Sequence, residues 1–163
     1  MNKVKVKGPI LELDGDGLAR ELSQEIKDKI INTYLDIDIK YFDLNIHNRD
    51  ASLDKVTTEA YEVFEKYQVI LKCPTLELTQ ETFIEFGCKE MWKSTQEILN
   101  ISDIKEINIF SMLTLWLEAI SKRAIIDTDD KLILFCKNLS EAIAIAKARD
   151  FATLDEIISL YKM

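Results

Sequence analysis

The first stretch with the residue types for chemistry is Asp14-Gly15-Asp16-Gly17. Closely spaced carboxylates could hold a hard cation. The calcium-loop template is not met, because Leu18 stands where the third oxygen ligand should be and the glycine and closing glutamate are displaced. Nor is Gly15-Asp16-Gly17 a dinucleotide fingerprint, since Arg20 takes the place of the third glycine. The simpler reading is a strand-to-helix turn with Asp16 as N-cap. Asp127-Thr128-Asp129-Asp130 is a second acidic run, and it reads as a helix N-terminus complementing the dipole. Lys72 and Lys93 could grip phosphates, although single lysines are usually solvated. Phe110, Met112 and Trp116 could flank a ligand, but at helical spacing they read as core. His47 sits beside Asn45, Asn48 and Asp50 and reads as an exposed loop residue.

Composition narrows the chemistry further. A single histidine nearly excludes a His-dependent triad or a multi-His metal site, and no metal is expected. Three cysteines, Cys73, Cys88 and Cys136, have no CxxC spacing and read as buried thiols in a reducing cytoplasm. Four glycines and two prolines are few for a fold that cradles phosphates on its loops. The net charge of −8 argues against nucleic acid, which needs clustered Lys and Arg. No apolar run reaches the ~20 residues of a membrane span, and the Lys-bearing start shows no secretory h-region. A cytoplasmic location with no membrane partner is expected. With 163 residues, 47% hydrophobic and 31% charged, one globular domain is expected.

The elements that must position these residues follow from periodicity. Lys3 to Asp14 alternates as a strand broken at Gly8-Pro9,. A helix from Asp16 places Leu18, Leu22, Ile26, Ile30 and Tyr34 on one stripe. Ile37–Leu44 alternates again, and 45–53 reads as a polar loop. A helix over Val56–Tyr67 turns Ala60, Val63 and Phe64 inward. Val69–Cys73 is a buried strand ended by Pro74. Thr79–Phe86 is helical, and Ser94–Leu99 forms one or two turns. From Ile109 the pattern is helical, with Leu113, Trp116, Leu117 and Ile120 on one face, ending near Arg123. A helix over Asp129–Arg149 offers Leu132, Leu134, Phe135, Leu139, Ala142, Ile143 and Ala146 to the core. A last helix carries Asp155, Ile158 and Leu160 and is capped by Thr153 with Glu156 in a capping box. The order predicts an α/β three-layer sandwich with a largely parallel sheet and a helical C-terminal third.

Four stretches together resemble the eukaryotic-type NADP-dependent isocitrate dehydrogenase family. They are Pro9-Ile-Leu-Glu-Leu-Asp-Gly-Asp16 with Ala19-Arg20; Tyr34 to Leu44 leading to Asn48-Arg49-Asp50-Ala51; Val69-Ile-Leu-Lys-Cys-Pro-Thr75; and Lys89-Glu-Met-Trp-Lys-Ser94. The tail, Asn108-Ile109, Trp116 and Lys122-Arg-Ala-Ile-Ile-Asp127, resembles the family's C-terminal segment, and the last two helices continue the likeness more weakly. The resemblance implies the large domain of isocitrate and isopropylmalate dehydrogenases. Residues 1–100 and 108–163 would be its two parts, joined at 101–107, with the family's small and clasp domains absent between them.

By the same resemblance, Lys72 and Thr75 match cofactor-loop residues, Ser94 the serine that contacts isocitrate, and Asn108 the asparagine that reads adenine. All four would be vestigial. Glu77 replaces a cofactor-binding threonine, Thr82 an arginine of the cofactor site, and Lys122 a histidine. Gln96 and Asn100 replace the asparagine and arginine that grip substrate. The family's catalytic tyrosine and lysine and its metal-binding aspartates fall in the missing middle. Oxidising a trianion such as isocitrate needs a divalent cation and placed acid–base groups. The expectation is therefore a pseudoenzyme without dehydrogenase activity or cofactor, with NADP binding at most at low affinity. It would act on a protein partner or as a homo-oligomer through Phe110, Met112, Leu115 and the 95–101 segment, in the manner of a viral or mobile-element inhibitor. The alternative is a residual NADP(H)- or tricarboxylate-binding protein, or a diverged isocitrate dehydrogenase.

Overall fold

The computed structural model describes residues 2–99, 101, 103–151 and 153–161. A short strand β1 (Val4–Lys5) leads through Gly8-Pro9 into β2 (Ile10–Asp14). Helix α1 (Gly17–Ile26) runs on through a π-helical turn (Lys27–Ile31) into α2 (Asn32–Tyr34). Strands β3 (Leu35–Asp36) and β4 (Ile39–Asp43), helices α3 (Ile46–Ala51) and α4 (Lys55–Phe64), and strand β5 (Ile70–Lys72) follow. The remainder is helical: α5 (Gln80–Glu85), α6 (Thr95–Leu99), α7 (Ile109–Asp127), α8 (Asp130–Ala148) and α9 (Leu154–Leu160).

The main sheet has the order β4-β2-β5 and β1 pairs with β3; every pairing is parallel. Parallel strands need crossovers, and helices on both faces supply them. All five residues of β2 are therefore buried. Alternation divides them between two cores. Ile10 joins the cluster built with Ala19, Ile26, Leu71, Met112, Trp116 and residues of α8 and α9. Leu11 and Leu13 join Leu44, Val56, Ala60 and Leu99 on the opposite face. The fold is α/β with parallel sheets and a helical C-terminal part, as expected.

Several local expectations need correction. Residues 45–53 are not a loop: the Asn45 side chain accepts from the Asn48 amide and starts α3, so His47 lies exposed on a helix. Helix α7 continues past Arg123 to Asp127 and stops where Thr128 takes a left-handed φ of 51°. Leu18 and Leu134 lie outside the core, at 52% and 54% exposure. Asp16 precedes α1, but its side chain caps no amide of that helix. In α9 Leu154 and Ile157 are buried, Ile158 packs partly buried against the core, and the Thr153–Glu156 capping box forms as expected. The helix ends at Leu160, where Tyr161 turns extended, short of Lys162, which itself lies outside the described residues.

Candidate functional site

In parallel α/β sheets, ligands bind beyond the carboxyl ends of the strands. Here three loops converge at that edge. Asp16, following β2, accepts from the Ile46 amide at 2.8 Å and from the Leu76 amide at 2.9 Å, clamping the β4 and β5 loops together. Burial pushes the Asp16 carboxyl above its usual range, while those two amides and Arg49 pull it back. The Asp16 amide donates to the Pro74 carbonyl at 3.0 Å. A cleft of about 330 Å³ opens beside them, lined by Arg20, His47, Leu76 and Phe86 among others. Arg20 is engaged with Asp43 at 2.6 Å, and this pairing holds Asp43 below its normal range despite partial burial.

Lys72 lies at the end of β5 and is buried. Its ammonium donates to the Asp103 carboxylate. The other oxygen of Asp103 accepts from the Thr75 amide and from the Gln96 side chain, each at 3.4 Å. Thr75 and Thr95 share a hydroxyl hydrogen bond of 2.6 Å. Lys72, Thr75 and Gln96 thus gather around a carboxylate supplied by the 101–107 connection. Asp103 carried no motif signal in the sequence, because its partners lie up to 31 residues away.

The other predicted positions are dispersed. The Ser94 hydroxyl accepts from the Glu97 amide at the start of α6. Asn108 caps α7, accepting from the Phe110 and Ser111 amides, while its amide nitrogen donates to Glu106. Asn108→Ala should therefore cost about 1 kcal/mol of stability, read as a lower urea midpoint whether or not nucleotide is present. Thr82 donates to the Glu77 carbonyl within the cap of α5, and Glu77 is exposed. Asn100 lies outside the described residues. Phe110 and Leu115 share a groove of about 440 Å³ with Asn108 and Lys147, and the Lys147 ammonium sits 5.5 Å from the Phe110 ring centre. Met112 is not a surface contact: it is fully buried in the core. Helical periodicity turned it inward, whereas Phe110 and Leu115 sit on the flanks of α7.

Glu12, Asp14 and Cys73 bring ligand-type atoms within 4.8 Å of one another. Their donors are already in place. Lys27 and Ser23 donate to Glu12 at 2.8 and 3.1 Å, and Tyr41 and the Gly15 amide donate to Asp14. Burial pushes the Cys73 thiol up to about 12, so it stays protonated at neutral pH,. The cluster is a hydrogen-bonded buried network. The retained positions likewise fit an NADP site poorly: Lys72 is already paired, and Asn108 is committed to its helix cap.

No family model matches the chain. Curated relatives do. The chain is 48% identical over 92 residues to a cytosolic isocitrate dehydrogenase [NADP] of Arabidopsis thaliana, covering 56% of this chain and 22% of that protein. Against the isocitrate dehydrogenase [NADP] of Glycine max it is 42% identical over 126 residues, covering 72% of this chain and 30% of the relative. The mitochondrial enzyme of Saccharomyces cerevisiae matches at 46% over 93 residues, 57% of this chain and 22% of the yeast protein. The chain spans less than a third of the length of these relatives. Over more than half of its residues this chain is a homologue of one part of the eukaryotic NADP-dependent isocitrate dehydrogenases.

Proposed function

We propose that this chain is a catalytically silent relative of isocitrate dehydrogenase that works by binding a protein partner. One observation carries the loss of catalysis. Among the described residues, every buried cation is paired with a carboxylate of the chain itself: Lys27 with Glu12, Arg49 with Asp54, Lys72 with Asp103 and Arg123 with Asp127. A tricarboxylate needs convergent free cations in a desolvated site, and a 2′-phosphate prefers Arg or Lys neighbours. These four cations already have partners. Support for partner binding comes from the groove at Phe110 and Leu115 and from the apolar side chains that α7 and α8 leave exposed, Ile125 foremost at 72%.

The decisive measurement is NADP⁺ reduction with isocitrate and Mn²⁺. No rate above the enzyme-free blank is expected, and reproducible turnover would overturn the reading. Light scattering after size exclusion tests the partner half: a strict monomer that captures no protein counts against it. The competing reading is a residual NADP(H) or tricarboxylate site, favoured by the half-exposed Thr75 and Ser94 and by the NADP named for the relatives. Under that reading, ligand at 100 times its dissociation constant would stabilise the fold by about 2.7 kcal/mol. No thermal shift at millimolar NADP⁺ is the outcome expected here.

A further inference from the structure

We propose that Lys72, the Thr75 amide and the Gln96 side chain form an oxyanion seat that the chain fills with its own Asp103. The three donors come from β5, the loop after it and α6, and they converge on the two oxygens of one carboxylate. The Lys72 side chain is only 1% exposed. A buried ammonium needs a counter-charge, so the seat is not stable empty. Its donor set is specific for a planar or tetrahedral oxyanion: one full positive charge, one fixed backbone N–H and one neutral amide N–H. Asp103 reaches it from the 101–107 connection, 31 and 28 residues from Lys72 and Thr75 and seven from Gln96. In chemical terms Asp103 acts as a tethered ligand, and the class of external ligand the seat would take in its place is a small carboxylate or a phosphoryl group.

The inference stands apart from the protein-binding reading, since it concerns only what this pocket accepts. Asp103→Ala removes the tethered carboxylate and keeps the cavity it filled. That variant should melt about 10 °C below the unaltered chain, as expected for a buried charge stripped of its partner. Sodium formate and sodium acetate should restore a large part of the loss in a saturable way, while sodium chloride at matched ionic strength should not. Inorganic phosphate distinguishes the ligand source: rescue by phosphate as well marks a general oxyanion seat, and rescue by formate and acetate alone marks a carboxylate seat. The double variant K72M/D103A, whose seat has lost its cation, should show no anion response. Equal responses in D103A, K72M/D103A and the unaltered chain would overturn the proposal, because the anion would then be acting on the whole fold. If D103A does not fold in plain buffer, the readout becomes the refolded yield in formate against chloride. Equal yields would overturn it in the same way.

Discussion

Glu12→Ala is expected to lower stability by about 3–5 kcal/mol, a large share of what a domain of this size possesses. Glu12 lies in the middle of the central strand and is fully buried. It accepts from Lys27 and Ser23, and Ser23 in turn accepts from the Trp116 indole at 2.9 Å. Removing the carboxylate leaves the Lys27 ammonium buried and uncompensated. The mirror-image variant, Lys27→Met, should behave differently with pH. Burial already pushes the Glu12 carboxyl above its ordinary range, against the pull of Lys27. Without Lys27 that rise grows, and the folded state binds a proton more readily than the unfolded chain. Stability associated with such a raised acid is present below its unfolded pKa and is lost as pH climbs through the folded value. The penalty of K27M should therefore widen between about pH 5 and pH 8. Urea midpoints of both variants at the two pH values check this; a pH-independent K27M penalty would contradict the buried-acid account.

Gly15→Ala is expected to cost about 3 kcal/mol or more, lowering the melting temperature by roughly 6–12 °C. A Cβ at Gly15 would stand 1.9 Å from the Pro74 carbonyl oxygen and 2.7 Å from its carbon. Both are backbone atoms with no rotamer to yield. The β2–α1 turn would have to withdraw from the β5 loop, breaking the Asp16–Pro74 hydrogen bond and the clamp that Asp16 makes on Ile46 and Leu76. Gly17→Ala supplies the control. Gly17 has a left-handed φ of 50° but open space around it, so only a backbone penalty of about 1–2 kcal/mol applies. Equal melting points for the two variants would show that contact with Pro74 does not constrain the turn.

These sites differ in how legible they were in the sequence. The Thr153–Glu156 capping box was readable because its two members stand only three positions apart. The strand β2 was readable from its alternation, but the burial of Glu12 was not. A glutamate alternating with leucines looks solvent-facing until a second helical layer is known to cover its face. Lys27 escaped notice for a related reason. Lys27 stands four residues after the buried Ser23, so the helix aims it at Glu12, 2.8 Å away, yet a single lysine on a helix reads as solvated until that partner is known,. The Lys72–Asp103 pair was invisible because no local pattern links a strand end to an aperiodic segment 31 residues on. Family resemblance drew attention to Lys72 and Thr75, yet it could not say that the chain would supply their anion.

The bond between Trp116 and Ser23 joins residues 93 positions apart. A nascent chain makes Ser23 long before Trp116, and it must wait for α7 before the inner face of β2 is covered. Until then Ile10, Ala19 and Ile26 lack the helix that seals them in the finished core,. Late arrival of that helix holds back assembly of the major core until α7 has been made. It also gives the half-made molecule a window of stickiness that a fold closed by local contacts would not have.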